Sequence, residues 1–292
     1  MNRLSTEKRT AILASMCEGA SVSATARIVG VSKVTVLKLL ADIGPVCLNY
    51  QRATLVNLPC KTIQADEVWS FVGAKERNVL REERGQGRGD VWIWAAVCAD
   101  TKLVPCFHVG RRDADAAYLF MEDLASRLAR RVQLTTDGHN AYLKAVEGAF
   151  GWGMIDYAML VKLYGQAPEG QRRYSPPEVV GTEPHRIMGN PDPDQVSTSY
   201  AERQNLTMRM NVRRLTRLTN GFSKKIENHR HALALHYMYY NFCRAHQTLT
   251  KERGAIRYTP AMTAGVADHV WTLEEVAGLL EVKEGAGIAP SC

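Results

Sequence analysis

TIQADEVWSFV at residues 62 to 72, followed by VWIWAAVCA at 91 to 99, is the stretch on which the fold turns. Up to Lys61 the apolar residues recur at helical spacing, and from there they run at strand period. The first segment reads as a strand. The second, apolar along nearly its whole length, reads as a central strand covered on both faces. Between them RNVLREERGQGRGD, residues 77 to 90, is a charged loop whose glycines fit no phosphate-binding pattern, because no strand leads into them and no helix follows. Asp100, Thr101 and Lys102 make a turn, and LVPCFHVG at 103 to 110 returns as a third strand of an antiparallel meander.

Downstream, DADAAYLFMEDLASRLARR at 113 to 131 is an amphipathic helix with Ala117, Met121, Leu124 and Leu128 on one face, acids in its first turns and arginines in its last. VQLTT at 132 to 136 is a strand, NAYLKAVEGAF at 140 to 150 a helix, and DYAMLVKLYG at 156 to 165 a fifth strand or an apolar edge. The order βββαβαβ, followed by a long helix, predicts an α/β fold: a ribonuclease-H-like mixed five-stranded sheet with flanking helices. Residues 165 to 198 hold six prolines and read as an extended surface loop or flap. Helices follow at 199 to 218 and 224 to 246, and a short one at 272 to 280 within a C-terminal tail, 258 to 292.

Upstream, residues 1 to 44 read as three short helices, with Ser32 as N-cap of the third. Ala24, Ile28, Val31, Val36 and Leu40 are spaced to share one buried face, leaving Lys33, Thr35 and Lys38 outward. This predicts a helix-turn-helix whose last helix enters a DNA major groove; a small docking module is the other reading. Gly44-Pro45 is expected to end that helix, residues 45 to 61 to form a linker, and residues 62 to 257 to form the catalytic domain.

The chain of 292 residues has 37 Lys plus Arg against 30 Asp plus Glu, a formal charge of +7 with 46% apolar residues. Residues 1 to 61 carry eight bases and three acids, and residues 200 to 257 carry twelve and three, whereas the remaining segments are net acidic. Two concentrated basic patches point to a polyanion partner. The longest stretch free of charge, His231 to Cys243, is too short and polar for a bilayer span, so no membrane helix is expected. The N-terminus lacks the apolar core of a secretory signal, and seven cysteines, odd in number and without a C-x-x-C pair, fit a reducing cytoplasm.

Among the acids, strand alternation sends Asp66 and Glu67 to opposite faces, so at most one serves a site above the sheet. Asp137 ends a strand before Gly138, a position suited to a ligand and equally to capping the turn. Glu202 is the sole acid between Asp194 and Glu227, embedded among Arg203, Arg209, Arg213, Arg214 and Arg217. A carboxylate repels the phosphates that those arginines attract, so it needs a salt bridge one turn away or a metal. Three carboxylates from two strands and a helix suit hard divalent cations, two of which would activate an attacking oxygen and stabilise the leaving one. His229, His231, His236, Cys243 and His246 scatter around a helix without finger spacing, which disfavours zinc. Trp69, Trp92 and Trp94 read as core aromatics, with Trp69 a candidate to border the site.

DEVWSFVGAK from Asp66, WIWAAV from Trp92, LTTDGHNAY from Leu134 and, above all, AERQNLTMRMNVRRLTRLTNGFSKKIENH from Ala201 resemble transposases of the Insertion Sequence 1 family, within the wider DDE class of transposases and integrases. The resemblance covers roughly residues 60 to 245. It implies a ribonuclease-H-like catalytic domain, Mg²⁺ dependence with Mn²⁺ as substitute, binding to terminal inverted repeats, cleavage leaving a 3′-hydroxyl, and transfer of that hydroxyl into target DNA. Its triad falls on Asp66, Asp137 and Glu202 as catalytic metal ligands, with Asn205 and Arg209 as supports. Arg213, Arg214, Arg217, Lys224 and Lys225 would join Lys33, Thr35 and Lys38 in contacting double-stranded DNA. The expected protein is a homo-oligomer of the bacterial cytoplasm, associated with the nucleoid. The family's cysteine-based zinc finger has no counterpart here, and 165 to 198 is longer than the family pattern. A non-catalytic DNA-binding regulator and a structure-selective nuclease of the same fold are the rival functions.

Overall fold

The computed structural model describes residues 4–83, 85–151, 153–165, 179–216 and 219–285. Arg217, the segment 166–178 of the proline-rich insertion and the end of the tail from 286 lie outside the described residues. The chain forms two compact units: one from Asn57–Glu67 and Trp94–Arg203, the other from Met1–Val56, Val68–Ile93 and Gln204–Cys292.

The sheet is mixed and six-stranded, in the order β3-β2-β1-β4-β5-β6. Its strands are β1 (Thr62–Val72), β2 (Gly89–Cys98), β3 (Phe107–Gly110), β4 (Val132–Asp137), β5 (Ile155–Tyr164) and β6 (Val179–Met188). β4 lies parallel to both β1 and β5. β3 is shorter than its apolar run, because Pro105 in LVPCFHVG has no N–H for the ladder. The expectation of five strands, with a loop after the fifth, is corrected by β6, which pairs antiparallel with β5 and sets Leu160 opposite Pro184. A strand at the sheet edge tolerates proline, and β6 is exposed along almost all its length, so neither alternation nor apolarity marks it in the sequence.

In the first unit, α4 (Ala114–Arg127) starts at Asp113, whose side chain accepts from the Ala116 N–H at 3.0 Å. It buries Ala117, Met121 and Leu124 of the expected face, and Phe120 with them, beside α5 (Ala141–Phe150); the helix ends at Arg127, so Leu128 lies beyond it in extended backbone and is half-buried. Trp94 of β2 is fully buried against the rings of Phe120 and Tyr142. At Gly189, φ is +67° and an added Cβ would collide with Asp156 and the Ile155 carbonyl, so only glycine fits where the chain leaves β6.

In the second unit, α1 (Thr6–Cys17), α2 (Val22–Val29) and α3 (Lys33–Thr54) are each capped by a serine, at positions 5, 21 and 32. Val36 and Leu40 are buried and Lys33 and Lys38 are exposed as expected, but Ile28 is 69% exposed; Thr25 and Ala26 carry that face of α2 instead. α3 does not stop at Gly44-Pro45, so there is no linker from 45 to 54. Packing overrides the local signal: a Cβ on Gly44 would collide with His231 of α7 (Ile226–Met238), so the glycine serves close helix approach. Gln51 fastens the same seam, donating to the carbonyls of Cys47 and Ala234.

α6 (Ser199–Asn211) ends before Val212, leaving Arg213 and Arg214 in a short 3-10 turn rather than on the long helix expected to residue 218. α7 runs into a π turn at Tyr239–Cys243, followed by α8 (Gln247–Glu252), α9 (Pro260–Thr263) and α10 (Leu273–Gly285). Six cysteines, at 17, 47, 60, 98, 106 and 243, are buried, consistent with filling the core. Among the described residues no helix is long and apolar enough to cross a membrane.

Candidate metal centre

β1 and β4 pair in parallel from Thr62↔Gln133 to Ala65↔Thr136. One step further stand Asp66, still within β1, and Asp137, which closes β4 at the carboxyl end where ligands gather in sheets with this connectivity. Asp137 does cap its turn, its Oδ1 accepting from the His139 N–H at 3.0 Å, while Oδ2 lies 3.9 Å from Arg112. Asp66, Glu67 and Asp137 each bring a carboxylate oxygen within 4.8 Å of the other two. The expectation that only one of Asp66 and Glu67 reaches a common site is therefore corrected. Alternation does separate them: Gln64, two residues before Asp66, accepts from the Tyr200 N–H, whereas Glu67 accepts from the Tyr142 hydroxyl. Asp137 comes just past the last rung between β1 and β4, where its side chain meets both.

Carboxylate charge is crowded in the cluster. Burial, then the neighbouring Asp137 and Glu67 charges, push the Asp66 carboxyl up to about 7. Burial and Asp137 likewise push Glu67 up, opposed by Arg112 and Tyr142. The Glu67 side chain is 1% exposed and fully bonded: Oε1 accepts from Arg112 Nε at 2.8 Å and Nη2 at 2.7 Å, and Oε2 from Tyr142 at 2.9 Å. Oxygen donors at this spacing, two of them raised in pKa by confinement, fit a divalent cation that would relieve the repulsion.

Glu202 stands apart from that group. Its Oε1 pairs with Lys162 Nζ of β5 at 2.6 Å and accepts from Thr198 Oγ1 at 2.6 Å. Partial burial pushes its carboxyl up, but Lys162 and Thr198 outweigh it and bring it below the usual range. The ion pair expected with an arginine one turn away is thus made with a lysine across the unit, and the same Lys162 charge also acts on Asp66.

Of the expected DNA contacts, Lys33, Arg213, Arg214 and Lys224 line one cavity of the helical unit. Lys33 and Lys38 are exposed on α3, while Thr35 hydrogen-bonds the Ser32 cap at 2.8 Å. Asn205 is buried, and Arg209 donates to the Trp69 carbonyl at 3.3 Å. Arg213, Lys224 and Lys225 are exposed, with the Lys224 ammonium 3.4 Å over the Phe222 ring; Arg214 is half-buried. Sequence reading missed Arg112, Tyr142 and Lys162. Tyr142 lies within LTTDGHNAY, but nothing in the sequence pairs 112 with 67 or 162 with 202, since those contacts arise from the order of strands.

No protein family and no curated protein sequence matches the chain. A solved structure, described as the crystal structure of the Mos1 Strand Transfer Complex, is similar at 11% identity and a TM-score of 0.24, over 80% of this chain and 77% of that one. A likeness of that size fixes neither fold nor function.

Proposed function

We propose that this chain is a DNA transposase of the DDE class, of the Insertion Sequence 1 type, that cleaves at terminal inverted repeats and transfers a 3′-hydroxyl into target DNA. What carries the reading is the carboxylate cluster on two adjacent parallel strands, Asp66 and Glu67 within β1 and Asp137 at the end of β4, in a sheet whose β3-β2-β1-β4-β5 order suits a ribonuclease-H-like domain. Asp66 and Asp137, with Glu67 beside them, would hold Mg²⁺, or Mn²⁺ in its place, and Glu202 would complete the set on leaving Lys162. Bound there, divalent cations supply activation of the attacking oxygen and charge stabilisation of the leaving one. The protein's own part is positional. Arg112 and Tyr142 fix Glu67, and the His139 amide orients Asp137.

In this reading the N-terminal helices contact the groove through Lys33, Thr35 and Lys38. Asn205, Arg209, Arg213, Arg214, Lys224 and Lys225 serve phosphates, and a homo-oligomer pairs two element ends. Affinity would fall with salt at a log-log slope of about −0.9 per neutralised phosphate. A specific observation favours one rival: with Lys162 seated on Glu202, a non-catalytic DNA-binding regulator needs no rearrangement. Purified protein incubated with Mg²⁺ and labelled element-end DNA separates the readings. Joined products support the transposase, nicking alone indicates a nuclease, and binding alone indicates the regulator.

A further inference from the structure

α2 and α3 pack on one another and bury Thr25, Ala26, Val36, Leu39 and Leu40, yet each leaves a large apolar side chain in the open. Ile28 is 69% exposed and Val34 73%, the two highest values for large apolar side chains among the described residues. Val34 is the second residue of α3, in the turn that the Ser32 hydroxyl caps by accepting from the Thr35 N–H at 3.0 Å. The cap holds that turn in helical geometry and so fixes where Val34 stands. Helical periodicity sets Lys33 and Lys38 on either side of it, and both are exposed. From Gly19 to Ala41 the chain carries three cations, Arg27, Lys33 and Lys38, and no acid. An apolar group thus stands bare on a surface whose own charge is of one sign.

Cations on both sides call for a polyanion, and a valine between them calls for an alkyl group on that polyanion. The major groove of DNA supplies both. Its floor otherwise presents hydrogen-bond donors and acceptors, which valine cannot use, and its apolar substituent is the C5 methyl of thymine. A recognition helix brings its N-terminal residues to the base edges, which is where α3 carries Val34. We infer that Val34 is a specificity-determining residue that packs on the methyl group of one thymine in the bound duplex, between phosphates met by Lys33 and Lys38. Ile28 lies in the preceding helix, which in this motif crosses the backbone, and it makes no base contact. This inference rests on the reading of α2 and α3 as a DNA-binding helix-turn-helix.

The test starts from a duplex that the full-length protein enriches from a random-sequence pool. Each thymine in turn is replaced by deoxyuridine, which lacks only the methyl group, and affinity is measured without Mg²⁺ at matched salt. At one position the replacement should weaken binding about four-fold, the worth of one buried methyl group. Val34→Ala should bind the thymine and deoxyuridine duplexes alike, with its melting transition kept because the side chain is exposed. Val34→Ile should retain the preference, and so should Ile28→Ala. Lys38→Gln should weaken both duplexes equally. A wild-type protein that enriches no sequence or is indifferent to every replacement, a preference that survives in Val34→Ala, or one lost equally in Ile28→Ala overturns the thymine assignment while leaving DNA binding intact. A change of oligomeric state in Val34→Ala, read by light scattering, would make this face an interface between copies and overturns it as well. Failure of the folded protein to bind any duplex overturns the DNA reading, and the thymine assignment with it.

Discussion

Asp66 and Glu202 are acids in one compact unit, yet their surroundings act in opposite directions. Around Asp66, burial and two nearby carboxylates raise the proton affinity to about 7; around Glu202, an ammonium at 2.6 Å lowers it despite partial burial. Lys162 acts on both, but at Asp66 burial and two carboxylates outweigh it, whereas at Glu202 it is in direct contact and prevails. The carboxylate cluster that could hold a metal is thus marked by raised proton affinity, and Glu202 could join it only if its lysine were displaced. Glu67, buried more deeply than either, shows a third condition: its charge is answered by Arg112 and Tyr142, so it braces the cluster.

The strongest way to break that contrast is Asp137→Asn. Removing one charge from the group should cost more than about 1,000-fold in cleavage rate, since several kcal/mol of transition-state stabilisation depend on the metal set. DNA affinity at matched salt should be kept or slightly raised. Normal cleavage would show that the cluster is not the reactive centre. Next in size is a pH effect on stability. The Asp66 carboxyl titrates at 3.8 in the unfolded chain and about 7 in the folded one, so between those values the folded state keeps a proton the unfolded state has lost. Stability contributed by this group therefore falls as pH rises through that window, by up to about 4 kcal/mol. Denaturant melts at pH 5 and pH 8 should show about 3 kcal/mol of it, Asp66→Asn should flatten it, and Mg²⁺ should raise the melting temperature more at pH 8. A Mg²⁺ effect independent of pH would mean that the ion binds elsewhere. Smaller still, Tyr142→Phe leaves a Glu67 oxygen without its donor and should cost about 1–3 kcal/mol, measured by the same melts.

Much of this arrangement is legible in sequence. The strand at Thr62–Val72, the cap at Ser32 and the position of Asp137 at a strand end follow from period and turn chemistry, because those signals act within a few residues. Three features are not. β6 carries no alternation because an edge strand has little to bury, and α3 passes through Gly44-Pro45 because a helix 180 residues away needs that close approach. The joining of Glu67 to the cluster depends on where β4 stops, which alternation within β1 does not encode.

The smallest effect is the one that decides Glu202. Lys162→Met removes the ammonium, so the Glu202 carboxyl should rise toward its ordinary range and its oxygens become available to a cation. A half-exposed pair of this kind contributes up to about 1 kcal/mol, so Mg²⁺ affinity, measured by calorimetry, should rise by no more than about five-fold. The informative comparison is with Lys162→Met combined with Glu202→Gln. If Glu202 joins the metal set, the gain disappears in the double variant, which should still fold, because an exposed helical carboxylate adds little stability. If the gain persists, Lys162 acts on the ion through its charge on Asp66 alone, and the centre is complete with Asp66, Glu67 and Asp137.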